Sequence, residues 1–314
     1  MRASIIGGYM TRRKASFIGF TAVLLWSLLA LFTVGSAPVP PLQLNAMCFA
    51  IGGAIGVIWL IATGSLHQLR AVAWPVYVAG TAGLFGYHLL YFSALRLAPP
   101  AQAGLIAYLW PLLIVLFSGL LPGERLTFWH IAGALIAFMG AALILGGGIA
   151  ADRSALPGYA LAGLCALTWS SYSLLSRRFG HVPTAAVAIY CLATSALSGA
   201  AHLALEPTIW PQNTLGWAAV LGLGLGPVGL AFYTWDLGVK RGDIQLLGTA
   251  SYAAPLISTL VLVAVGIAPA SPVLLISAVL IAGGALLAAI GARHKIDPAP
   301  VPVTEPPQAA TRNS

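Results

Sequence analysis

Acidic residues are nearly missing from this chain: it has seven Asp and Glu in 314 residues, against 15 Lys and Arg. Charged residues together make up 7% of it and hydrophobic ones 59%. A soluble domain carries about 25% charged residues, so the composition excludes that class and points to an all-α integral membrane protein. Cysteine is scarce as well. Cys48, Cys165 and Cys191 all lie within apolar stretches. Their spacing suits neither a zinc site nor a disulfide framework, and they read as small apolar fillers. No His-Glu-x-x-His, P-loop or Cys-x-x-Cys motif is present, so no metal, cofactor or catalytic residue is expected. Gly224-Leu225-Gly226-Pro227-Val228-Gly229 matches the dinucleotide fingerprint, but that motif needs a preceding strand, and here it sits inside an apolar run. Ser198-Gly199 with His202 one turn on is an incomplete protease motif. The net charge of +8 is not gathered into one stripe, which argues against nucleic-acid binding.

What the chain has in quantity is apolar runs. A hydrocarbon core needs roughly 20 apolar residues per helix. Ten spans meet this, near 15–35, 42–63, 72–95, 101–120, 128–147, 158–177, 184–205, 215–236, 245–264 and 272–291. Proline-rich turns such as Pro99-Pro100 and Pro122-Gly123 join them. The first span follows Arg12-Arg13-Lys14 and is too long for a signal-peptide core, so it is expected to remain as a helix. Met10 is a candidate alternative start. With the N-terminus in the cytoplasm, 13 Lys and Arg fall on the cytoplasmic side and only Arg96 and Arg153 on the other. The positive-inside rule then puts both termini in the cytoplasm. The tail is polar and Pro-rich, and is expected to be disordered. The expected organisation is a cytoplasmic segment (1–14), two five-helix units (15–147 and 158–291) and a cytoplasmic tail (292–314).

The two units echo each other. Trp26-Ser27 returns as Trp169-Ser170, Tyr91 as Tyr233, Tyr108-x-x-Pro111 as Tyr252-x-x-Pro255, and Gly140-Ala141 as Gly284-Ala285, at offsets of 142 to 144 residues. An odd number of helices per unit inverts the second copy, and inverted repeats place a transport site near mid-membrane where the copies meet. Gly52-x-x-x-Gly56 and Gly222-x-x-x-Gly226 fit close helix packing.

Tyr91-Phe92-Ser93-Ala94-Leu95-Arg96, then Ala103 to Pro111, Gly123-Glu124-Arg125, Gly133 and Gly140 resemble the second half of an EamA unit of the drug/metabolite transporter superfamily. The likeness covers residues 12–292 as two such units. Thr11-Arg12-Arg13-Lys14-Ala15 and Leu25-Trp26-Ser27 resemble the YddG-type aromatic amino acid exporters of that superfamily. The second unit departs from the pattern, having no Gly-Glu near Ala268. The resemblance implies a ten-helix exporter of a bacterial inner membrane, with a central cavity and no enzyme activity. It implies small organic substrates, such as aromatic amino acids and related metabolites. A transporter of the same fold for drugs, purines or sugar derivatives is the alternative, and an intramembrane enzyme or scaffold is the reading from another class.

The residues themselves suggest a substrate-binding cavity. Tyr87, His88 and Tyr91 share a helix face, as do Trp169, Tyr172, Ser173 and Ser176, and Tyr252 follows the same period after Gln245 and Thr249. Trp26, Ser27, Tyr108 and Trp110 complete the candidates. Polar-tipped aromatics at mid-span need partners and are expected to point inward. His88 inside a span marks a functional site, as a donor to a substrate carboxylate or as a neutral ring that ties helices together. Trp110 lies about 200° round a helix from Tyr108, so the two share a cavity only if the helix breaks near Pro111. Pro111 and Pro255 are candidate hinges. Asp236, four residues before Lys240, reads as a surface ion pair or solvated helix end, or as a proton-coupling site or inner gate. Small-molecule substrate and lipid are the partners expected.

Overall fold

The computed structural model describes residues 10–145, 153–267 and 269–293. The leader Met1–Tyr9 and the tail from residue 294 onward lie outside the described residues. The described chain is built of helices: α1 (Arg12–Trp26), α2 (Leu29–Gly35), α3 (Pro41–Ala62), α4 (His67–Arg70), α5 (Trp74–Leu97), α6 (Pro100–Ala107), α7 (Trp110–Ser118), α8 (Phe128–Leu145), α9 (Leu156–Arg178), α10 (Ala186–Leu205), α11 (Thr214–Leu225), α12 (Ala231–Arg241), α13 (Ile244–Ala250), α14 (Ala253–Ala264) and α15 (Val273–Arg293). A π-helical segment, Gly226–Leu230, joins α11 to α12.

Among the described residues, seven helical stretches are long and apolar enough to cross a membrane. Two more, Gln102–Ser118 and Phe128–Ile144, are apolar but shorter. α9 has the length, with 23 residues, but it carries Trp169, Ser170, Tyr172, Ser173 and Ser176 on its buried side. Its polar residues face protein, so hydropathy understates how far inside it lies. Pro41 and Pro100, which read as turn residues, stand instead in the first helical turn of α3 and α6, as Pro75 and Pro157 do in α5 and α9. There a missing N–H costs nothing, because that donor has no intrahelical acceptor.

The inverted relation of the two units is visible at one end of the molecule. Arg12, at the start of α1, pairs with Asp243, at the start of α13 (3.0 Å), and with Glu124, after the end of α7 (3.4 Å). Glu124 also pairs with Arg177, at the end of α9. So α9 runs opposite to α1, and α13–α14 runs opposite to α6–α7. Arg177 donates as well to the carbonyls of Val239 (3.1 Å), Lys240 (2.7 Å) and Gly242 (3.0 Å). It thus caps the C-terminus of α12, where a cation is favoured. This basic end is knit across α1, α7, α9, α12 and α13, which pack closely there. At the opposite end Arg96 pairs with Glu206 (2.7 Å). Glu206 also accepts from the Leu42 N–H (3.0 Å), capping α3, and so ties α3, α5 and α10 together.

Glycine allows the closest helix pairs. A Cβ on Gly19 of α1 would lie 2.8 Å from the Gly238 Cα of α12, so the two backbones touch. Gly52 meets Gly229 in the same way, while Gly222 abuts the Phe32 ring. Gly163 faces open space instead. Gly19→Val is expected to cost about 1–3 kcal/mol by overpacking and to lower the melting temperature of the detergent-solubilised protein, while Gly163→Val leaves it unchanged.

Asp236 in α12 is buried, contrary to a surface position. Its Oδ2 accepts from Lys240 Nζ (2.7 Å) and from the Thr184 hydroxyl (2.7 Å). Lys240 also donates to the Val182 carbonyl (3.0 Å). This pair ties α12 to the α9–α10 connection. Asp236→Ala strands a buried ammonium and is expected to destabilise by about 3–5 kcal/mol, whereas Asp236→Leu with Lys240→Met recovers most of the loss. Thermal unfolding in detergent measures both.

Candidate functional site

Four interruptions of helical regularity converge on one place. α1 gives way to α2 after Trp26, α6 to α7 at Tyr108–Leu109, and α13 to α14 at Ser251–Tyr252, while the π segment separates α11 from α12. Each has a local cause. The Ser27 hydroxyl donates back to the Val23 carbonyl (2.8 Å), and the Ser251 hydroxyl to Leu247 (2.8 Å). Such back-bonding bends helices, which gives Ser27 a part in the break rather than in a cavity wall. Pro111 and Pro255 stand in the first turns of α7 and α14. They begin the second half-helix instead of kinking a continuous one. Pro227, in the π segment, frees its neighbours' carbonyls, and the Pro227 carbonyl itself accepts from the Trp26 indole N–H (3.1 Å).

The break before Trp110 turns its ring inward. Trp26, Trp110 and Trp169 meet in mutual ring contact, with centroids 6.1 Å (Trp26–Trp110), 5.7 Å (Trp26–Trp169) and 6.2 Å (Trp110–Trp169) apart. All three pairs are edge-to-face, an arrangement the ring quadrupoles favour. Tyr87 leans on Trp169 at 5.3 Å and stacks on Tyr91 at 6.1 Å. Tyr172 lies 5.2 Å from Trp169, and Tyr108 lies 6.3 Å from Trp110. His88 packs between Tyr87 (5.2 Å) and Phe49 (5.0 Å). Trp26, Tyr87, His88, Tyr91 and Tyr108 keep part of their surface accessible. Yet the three tyrosines and His88 lie deep among protein atoms. Accessible surface on side chains this deep points to a recess between them.

Hydrogen bonds assign the polar groups. His88 Nδ1 sits 2.8 Å from the Leu84 carbonyl. A carbonyl only accepts, so Nδ1 carries the proton and the neutral ring's Nε2 is an acceptor. In the neutral ring this leaves Nε2 to accept, whereas the expected donor role toward a carboxylate belongs to the protonated ring. The indole N–H groups of Trp26 and Trp235 are engaged, the latter on Ser173 Oγ (3.1 Å). Those of Trp110 and Trp169 have no acceptor among the described residues, and neither is among the sealed, unpartnered atoms. They are donors at hand.

Two candidates sit behind this surface. Tyr252 is fully buried, and its hydroxyl accepts from the Leu112 N–H (3.0 Å), satisfying one of the orphan donors at the start of α7. Asp236 is held by Lys240 and Thr184 beneath the cluster. Three aromatics escaped the sequence reading: Trp235, 5.1 Å from Trp26; Phe232, 5.7 Å from Trp169; and Phe49, stacked on Phe232 at 5.3 Å. The two phenylalanines have no polar tip to require a partner. Trp235 was hidden because the repeat pairs its stretch with Ser93, although its place beside Asp236 was a usable signal.

A model of the EamA-like transporter family matches residues 13–146 and again 156–290. The aromatic amino acid exporter YddG of Ancylobacter novellus is 55% identical over 288 residues, spanning 91% of this chain and 100% of that protein. The exporters of the same name from Salmonella typhimurium and Escherichia coli are 26% and 25% identical, again over 91% of this chain and 100% of theirs. A crystal structure 56% identical in sequence superposes with a TM-score of 0.86, covering 90% of this chain and 100% of that one. With two family units, apolar helices and inverted halves, this chain belongs to the EamA-like transporter family, a multi-pass membrane transporter rather than an enzyme.

Proposed function

We propose that this protein exports aromatic amino acids across a bacterial inner membrane, by alternating access at the tryptophan-lined recess. The observation that carries this reading is the meeting of Trp26, Trp110 and Trp169 at the helix breaks, with the indole N–H groups of Trp110 and Trp169 unpartnered among the described residues. Edge-to-face aromatic surface suits a substrate ring. The two indole donors, with the N-terminus of α7, suit a carboxylate. His88 Nε2 and the hydroxyls of Tyr87, Tyr91 and Tyr108 suit an ammonium, aided by the ring faces. The nearby Asp236 is neutralised by Lys240, so the recess favours a zwitterion over a charged solute. The names of the similar proteins supply the direction of transport and the substrate class.

In this reading the chain crosses the membrane ten times, in two inverted five-helix units. The basic end faces the cytoplasm, as the positive-inside rule requires, and both termini lie there. The bonds of Arg12, Arg177, Glu124 and Asp243 hold that side shut while the recess is reached from the other. The half-helices starting at Pro111 and Pro255 are the elements that shift between states.

Proteoliposomes settle the matter. Labelled Phe, Trp and Tyr are expected to exchange across the bilayer, with flux about tenfold lower in Trp110→Ala and Trp169→Ala, each of which removes several ring contacts. His88→Gln, which keeps an acceptor, is expected to retain more flux than His88→Ala. Absence of flux for every aromatic amino acid, with flux for a purine or a drug cation in a competition panel, overturns the substrate assignment.

A further inference from the structure

Away from the aromatic recess, a cleft of about 490 Å³ opens at the basic end between two tightly packed helix pairs, α1–α12 and α3–α10. Tyr233, in its lining, donates from its hydroxyl to the Gly52 carbonyl (2.9 Å). The walls are apolar, with Ile18 of α1, Ile55 of α3 and Leu237 of α12. Its lining also includes Trp59, 67% exposed, together with Gln68 and Arg241. Arg12 and Arg177 spend their charge on Glu124 and Asp243. Arg241, by contrast, makes no ion pair or hydrogen bond through its side chain among the described residues, and the Gln68 amide is equally free.

From this we infer that the cleft is a binding site for an anionic glycerophospholipid. Three features converge. The volume lies in the range of ligand sites, and an apolar void open to a bilayer fills with chain, because its walls otherwise forfeit dispersion contacts. A tryptophan belongs at headgroup depth, where its ring is half apolar and half polar. An uncompensated arginine and a free amide supply donors for a phosphate, and basic pockets between membrane helices recognise such headgroups. Acyl chain lies along Ile18, Ile55 and Leu237, and phosphate lies at Arg241 and Gln68.

The test is native mass spectrometry of the full chain released from nanodiscs of equal parts phosphatidylglycerol and phosphatidylcholine. One phosphatidylglycerol is expected to stay bound in preference. Arg241→Gln is expected to weaken its retention roughly fivefold, the worth of one cation at an anionic surface. Arg178→Gln, an exposed arginine of the same end that does not line the cleft, leaves retention unchanged. Leu237→Trp, which fills the cleft, lowers retention of both lipids without lowering the melting temperature. Equal retention of the two lipids, an equal loss with Arg178→Gln, or a second copy of the chain retained in place of lipid overturns the assignment. None of these outcomes bears on amino acid flux.

Discussion

A bilayer interior offers no water to a broken helix, so freed amides and carbonyls must find partners within the protein. This constraint organises the molecule. The three helix breaks and the π segment are gathered at one depth, where each can be answered by another. The Leu112 amide at the start of α7 is met by Tyr252 from the break in the other unit. The Pro227 carbonyl of the π segment is met by Trp26 from the end of α1. Serines 27 and 251 take up carbonyls of the turns they end. The residues that stabilise the breaks therefore come from both units, and the place where they meet is the proposed site.

The breaks also divide the labour of each helix. α1, α7, α12 and α13 lie on the basic side of the interruptions and pack closely with the end of α9, under the bonds of Arg12, Arg177, Glu124 and Asp243. On the far side α6 leans on α5 and α9, while α2 and α14 pack on each other. In this charge network Arg12 stays partly exposed, so water competes for that ion while its carboxylate partners are buried. The Asp236–Lys240 pair is a different object. It is sealed in protein, and removing either partner alone leaves a charge without compensation.

Much of the fold was readable from the chain alone. The apolar runs, the offsets of 142 to 144 residues and the odd helix count per unit led to inverted copies, and the structure sets α9 opposite to α1 where Arg12 and Arg177 share Glu124. The site was legible in part. Trp26, Tyr87, His88, Tyr91, Tyr108, Trp110, Trp169 and Tyr172 come together, since polar-tipped aromatics at mid-span have nowhere else to go. Ser27 and Tyr252 proved to be partners of the helix breaks. For His88, the Leu84 carbonyl takes Nδ1 and leaves Nε2 as the nitrogen that can face a ligand.

Hydropathy and repeat spacing, which are local and additive along the chain, determined the class and the duplication, and the motifs that resemble an EamA unit pointed to the family. They led to the expectation that polar-tipped aromatics at mid-span turn inward. Only the tertiary structure decided that the helix is interrupted before Trp110, and so that this ring joins Trp26 and Trp169. A proline announces that a helix will be disturbed, but where the backbone opens depends on which distant groups can satisfy it. In this chain those groups, Tyr252 for one, lie 140 residues away in sequence from the amide they answer.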